Sequence, residues 1–131
     1  MKTFFFLVFL LTQSLILSGC QTTREVTKTI INKEELISLL AGSEVVIDLD
    51  GGVRATQARI HMDPNGNMRG ENDLGTTTKG IWQVNDKGQW CREWEDHRWR
   101  GGCHYLYRID GKKNLYQYRS SETRLRFIDN N

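Results

Sequence analysis

The sequence predicts a mainly β protein, a small antiparallel meander barrel or half-barrel of about seven or eight strands with one short N-terminal helix. Three observations carry that expectation. Pro64 is the only proline while glycine occurs 12 times in 131 residues, so the chain is punctuated by turns. From Val45 onward, Val, Ile, Thr, Tyr, Phe and Trp recur in short runs, which suits a pleated, half-buried surface. Short polar links separate the runs, and links of that length join antiparallel neighbours, whereas parallel strands need long crossovers. A sandwich would produce the same alternation and stands as the alternative architecture.

The elements follow in order. Asn32 offers an N-cap, Glu35 occupies the capping-box position, and Leu36, Ile37, Leu39 and Leu40 precede Gly42, where a helix would stop. Such a helix is too short to stand alone and must lay its leucine face on something. Residues 44–49, EVVIDL, read as a strand closed by Asp50, Gly51 and Gly52. Residues 55–62, ATQARIHM, alternate Ala58, Ile60 and Met62 against Gln57, Arg59 and His61. DPNGN, residues 63–67, is a turn, with Pro64 at fixed φ and Asn65-Gly66 tolerant of positive φ. Further strands are expected over 77–84, 89–93, 103–109, 115–118 and 125–128. Trp82, Trp90 and Tyr105 are the candidates for the barrel interior, with Trp94 beside them.

The first 19 residues carry one cation, Lys2, then an apolar block from Phe4 to Leu11, then small residues. A spanning helix needs about 20 mostly apolar residues, so the arrangement fits a secretory signal better. Leu17-Ser18-Gly19-Cys20 resembles the lipobox of bacterial lipoproteins. That resemblance implies cleavage before Cys20, a diacylglyceryl thioether on its thiol and acylation of the new N-terminus. Two or more acyl chains hold a protein stably where one does so only marginally. Gln21 in place of Asp implies, in a Gram-negative envelope, an outer-membrane protein anchored on the periplasmic side. The expected organisation is a signal peptide over 1–19, a lipidated tether over 20–31 and a single β domain over 32–131, with the membrane as partner through Cys20.

Loss of residues 1–19 lowers the formal net charge from +2 by one unit, and no block of like charges remains, so nucleic acid is not suggested. With Cys20 lipidated in an oxidising envelope compartment, Cys91 and Cys103 read as a disulfide. They would also supply a Cys2His2 set with His97 and His104, but there is no CxxC and the spacing fits no zinc finger. Asp63, Asn65 and Asn67 resemble half of a calcium loop, yet Met68 and Leu74 stand where that loop needs Gly and Glu. Asp48 with Asp50, and Glu93 with Glu95, alternate beside turns where acids normally solvate strand ends. No catalytic residue, resident metal or cofactor is assigned.

The loop over 96–102 sets Trp99 between Arg98 and Arg100, a candidate contact for an envelope protein or an anionic glycan. Leu39, Leu40, Gly42 and Val46, then Gly80, Trp82, Val84, Cys91, Cys103 and Tyr105, resemble a group of small exported proteobacterial proteins of unknown function with a Gly-x-Trp-x-Val, Cys, Cys pattern. That resemblance implies an envelope β domain held by one disulfide and transfers no activity. The leading expectation is a non-enzymatic binding or interaction module. A lipocalin-like carrier of a small apolar ligand and, more weakly, a cell-envelope hydrolase are the alternatives.

Overall fold

The computed structural model describes residues 27–49, 55–113, 115–118 and 124–128. The residues expected to form a signal segment and lipobox, Leu17-Ser18-Gly19-Cys20 among them, and Asp50 lie outside the described residues. The chain forms β1 (Lys28–Ile30), α1 (Lys33–Leu40), β2 (Glu44–Asp48), β3 (Gln57–Met62), β4 (Asn67–Asn72) and β5 (Thr77–Val84). It continues through β6 (Trp90–Trp94), β7 (Gly102–His104), β8 (Leu106–Ile109), β9 (Leu115–Tyr118) and β10 (Arg124–Phe127).

All strands join one curled antiparallel sheet, a ten-stranded half-barrel in the order β1-β8-β9-β10-β2-β3-β4-β5-β6-β7. From β2 to β7 the order is a simple meander, as the short links require. The two ends of the sheet are tied covalently. β7 pairs with β6 at one end and runs through Tyr105 alone into β8, which pairs with β9 and β1 at the other. One kinked strand therefore brings the curl round on itself.

Alternation decides the two faces. Val45 and Ile47 on β2, Ala58, Ile60 and Met62 on β3, and Trp82, Trp90, Leu106 and Leu125 on their strands point inward and are buried. Glu44, Arg59, Arg69 and Lys79 alternate with the inward set and face out. Helix α1 covers one end of the concave face. Asn32 accepts from the Glu35 amide at 2.9 Å, the expected N-cap. The Glu35 carboxylate takes the Arg108 guanidinium of β8 as an ion pair. Lys33 pairs with Asp86 of the β5–β6 turn at 2.8 Å, and the Gly42 amide donates to the Met62 carbonyl at 2.8 Å, so both helix ends are tied to the rim. Gly42 holds φ 75°, a left-handed conformation that ends the helix. Leu36 and Leu40 are fully buried.

Four features depart from the sequence reading. β1 lies inside the segment expected to be a tether, because a three-residue strand has no signal until the edge of β8 is there to pair with it. β4 was missed, since its NMRGEN run carries only Met68 and Gly70 on the inner face. The single strand expected over 103–109 is broken at Tyr105. Tyr105 also stays out of the core: it is half-buried, its ring 6.5 Å from that of Tyr107. Parity explains this, because buried Leu106 places its odd-numbered neighbours on the opposite face.

Cys91 and Cys103 are direct register partners on β6 and β7, with their sulfurs bonded at 2.05 Å. Leu40→Ala should lower unfolding free energy by about 2–5 kcal/mol in urea titration, whereas Ile81→Ala, at a position 55 % exposed, should stay within about 0.5 kcal/mol. Reduction of the disulfide, which closes a separation of 12 residues, should cost about 3 kcal/mol in the same titration.

Candidate functional site

Strand direction gives the molecule two distinct ends. β6 leads into the loop over 95–101, whereas β7 runs back antiparallel to β6 and continues through β8 into the turn over 110–113 at the other end. There the Asp110 amide donates to the carbonyl of Thr27 at 3.2 Å, so the chain enters the sheet beside the 110–113 turn. The loop that carries Arg98, Trp99 and Arg100 stands at the opposite end.

Within that loop the Asp96 carboxylate gathers Arg98. It accepts from the Arg98 amide at 3.0 Å, from Nε at 3.0 and 3.1 Å and from Nη2 at 2.7 Å. These bonds hold the Asp96 carboxyl down at about 2, and the same pairing raises the Arg98 guanidinium further above its ordinary value. The Asp96 amide in turn donates to Thr78 Oγ1 at 3.4 Å, fixing the loop's foot to β5. Arg98 nevertheless leaves 71 % of its side chain in solvent, and Arg100 is exposed as well.

Trp99 is placed differently from its two neighbours. It turns inward, half-buried against the core, with its ring centroid 5.2 Å from that of Trp94 and the planes at 51°. Gly70 makes room for it: a Cβ there would stand 2.7 Å from Trp99 Cζ3. The loop therefore leaves Arg100 and the Asp96-bound Arg98 exposed, while the indole between them closes this end of the concave face. Burial of a large apolar ring outweighs leaving it in water.

Of the interior candidates, Trp82 and Trp90 are buried. The Trp82 indole N–H donates to the Asp63 carbonyl at 2.9 Å, and the buried Arg92 guanidinium lies 4.4 Å from the Trp90 ring centroid. Together with Trp94, Met62, Met68, Leu36 and Leu40 they form one continuous cluster. The concave face is filled by the protein's own side chains.

The outer wall carries a feature that sequence reading missed. A groove of about 660 Å³ is lined by Glu44, Arg59, His61, Arg69, Lys79 and Glu95 among others, and it ends at Asp96. Glu44 pairs with Arg59 at 3.0 Å, and His61 Nε2 stands 3.1 Å from Asp63. Arg69 and Lys79 are direct register partners, two cations side by side. Alternation alone would have put Arg59 and His61 outward, but Arg69 could not be set beside Lys79 without β4.

The acids do not converge. Asp48 accepts from Gln57 Nε2 at 3.0 Å, and Glu93 and Glu95 are exposed. His97 is exposed in the loop and His104 half-buried on β7, while His61 stands on the outer wall 3.9 Å from Glu44 and 3.1 Å from Asp63. Among the described residues no group of three or more His, Cys, Asp or Glu is arranged to hold a metal ion. No helix among them is long and apolar enough to cross a membrane. No family model, curated protein or solved structure matches the chain.

The pairing of Asp96 gives a pH dependence of definite sign. Because its folded value is depressed, the stabilisation it contributes is present above the ordinary carboxyl value of 3.8 and is lost as pH falls toward about 2. Carboxyl ¹³C NMR should show Asp96 titrating near 2, and in Arg98→Ala higher, toward its ordinary 3.8, with the amide bond from residue 98 still lowering it. Gly70→Ala should drive Trp99 out of its site, with red-shifted tryptophan emission and a loss of about 1–3 kcal/mol in stability.

Proposed function

We propose that this protein is a lipid-anchored envelope lipoprotein, a non-enzymatic binding module on the periplasmic side of the outer membrane. The observation that carries the reading is the opposition of its two ends. The chain enters beside the 110–113 turn, and the exposed Arg98 and Arg100 stand at the far end. An anchor at Cys20 would thus direct the two guanidinium groups away from the lipid, toward a protein or an anionic glycan of the envelope. The Arg100 guanidinium suits carboxylate and phosphate groups because its donors form a planar fork, and Arg98, whose Nε and Nη2 serve Asp96, adds exposed positive charge beside it. The groove from Glu44 to Asp96 adds a polar wall continuous with the foot of that loop.

The filled concave face supports a binding surface over an internal carrier site, which needs an apolar cavity of a few hundred Å³. Exposed Glu93 and Glu95, and Asp48 held by Gln57, likewise favour binding over hydrolysis by a convergent carboxylate pair.

Two measurements test this. Intact mass of the protein purified from membranes should begin at Cys20 with added diacylglycerol and acyl chains, and two thiols should alkylate only after reduction. An unmodified chain would sink the anchor. Cross-linking in cells followed by pull-down should recover an envelope partner that the variant Arg100→Ala loses with its unfolding midpoint unchanged. Equal recovery from that variant would sink the loop as a contact. Trp99→Ala is the poorer probe, because loss of its packing on Trp94 should itself cost about 1–3 kcal/mol.

A further inference from the structure

The end where the chain enters the sheet carries a second concavity that the proposed partner loop does not use. It measures about 340 Å³ and lies on the outer face of β9, β10 and β2. Leu115, Val46, Phe127 and Ile128 supply its apolar lining, and Lys112, Lys113 and Arg126 supply its cations, with Arg126 set on β10 directly between Leu115 and Val46. All three cations are exposed, and none has an ion-pair partner among the described residues. Lys112 and Lys113 belong to the turn whose Asp110 amide holds the Thr27 carbonyl. From Cys20 to Thr27 the chain can reach at most about 25 Å even fully extended. An anchored Cys20 therefore keeps this end within about 25 Å of the bilayer surface.

We propose that the pocket lined by Lys112, Lys113 and Arg126 takes the headgroup of an anionic phospholipid in the leaflet that holds the anchor. The chemistry matches on two counts. Cations facing an anionic leaflet each strengthen association about five-fold. An apolar lining set among cations suits a molecule whose phosphate is attached to hydrocarbon, where a free inorganic anion would leave the lining unpaired. Headgroup binding here would hold α1 and its rim toward the membrane and fix the direction in which Arg98 and Arg100 point. The proposal rests on the lipoprotein reading for its location, and the pocket itself can be tested apart from it.

The test uses protein purified from membranes and reconstituted in vesicles of phosphatidylcholine alone or with about one third phosphatidylglycerol. Amide hydrogen exchange over 112–115 should slow several-fold in the anionic vesicles only. The triple variant Lys112→Gln, Lys113→Gln, Arg126→Gln should remove that difference while keeping its unfolding midpoint. Equal exchange in both vesicles, or a difference that survives in the triple variant, would overturn the proposal. Slowing by millimolar inorganic phosphate in neutral vesicles would overturn the lipid assignment. If intact mass shows no acyl modification, the lipoprotein reading fails by itself, and flotation of that unmodified chain decides the pocket. Flotation with anionic vesicles alone, abolished in the triple variant, supports it, and anything else overturns it.

Discussion

One stretch of backbone, from Gly102 to Ile109, serves both ends of the sheet, and the rest of the structure depends on it. Its first half closes the meander against β6 and its second half opens the ladder to β9 and β1. A curled sheet normally leaves two exposed edges that must be paired or protected. Here most of that problem is met by a single strand that changes partners at Tyr105, and the Cys91–Cys103 bond secures the half that meets β6. The edges that remain, β1 and β7, are three residues long, too short to template another chain.

Curling creates an interior, and the interior is filled with unusually large groups. Trp82, Trp90 and Trp94 share it with Met62 and Met68, and Trp99 folds over one end while Leu36 and Leu40 of α1 seal the other. Such volume needs matching absences. Gly70 on β4 provides one, standing where any side chain would collide with Trp99. Close packing of this kind transmits the loss of one ring to its neighbours, so the Asp96–Arg98 clasp that shapes the loop also keeps Trp99 on Trp94.

The molecule is consequently polar along its strand axis. One end carries α1, the incoming chain and a cationic pocket with an apolar lining. The other carries exposed guanidinium groups on a clasped loop. Between them the wall pairs Glu44 with Arg59 and sets His61 beside Asp63. Arg69 and Lys79 interrupt that pattern, since like charges directly across a ladder repel.

Local pattern alone determined the class of this protein, the helix from its Asn32 cap to its Gly42 stop, most of the strands and the partnership of Cys91 with Cys103. Each of those rests on neighbours in sequence, on a period of two or on a count of thiols, quantities that a linear string contains. Tertiary structure decided what depends on a facing surface. β4 is a strand because β3 and β5 flank it, although its own residues are mostly polar. β1 exists because β8 offers an edge. Tyr105 lies outside because Leu106 is taken by the core. Trp99 looked like an exposed contact between two arginines, yet it is drawn inward by Trp94 and by the space above Gly70, contacts more remote in sequence than its flanking residues reveal. The pocket of Lys112, Lys113 and Arg126 is of the same kind, because β9 and β10 must pair before those cations can share one apolar lining.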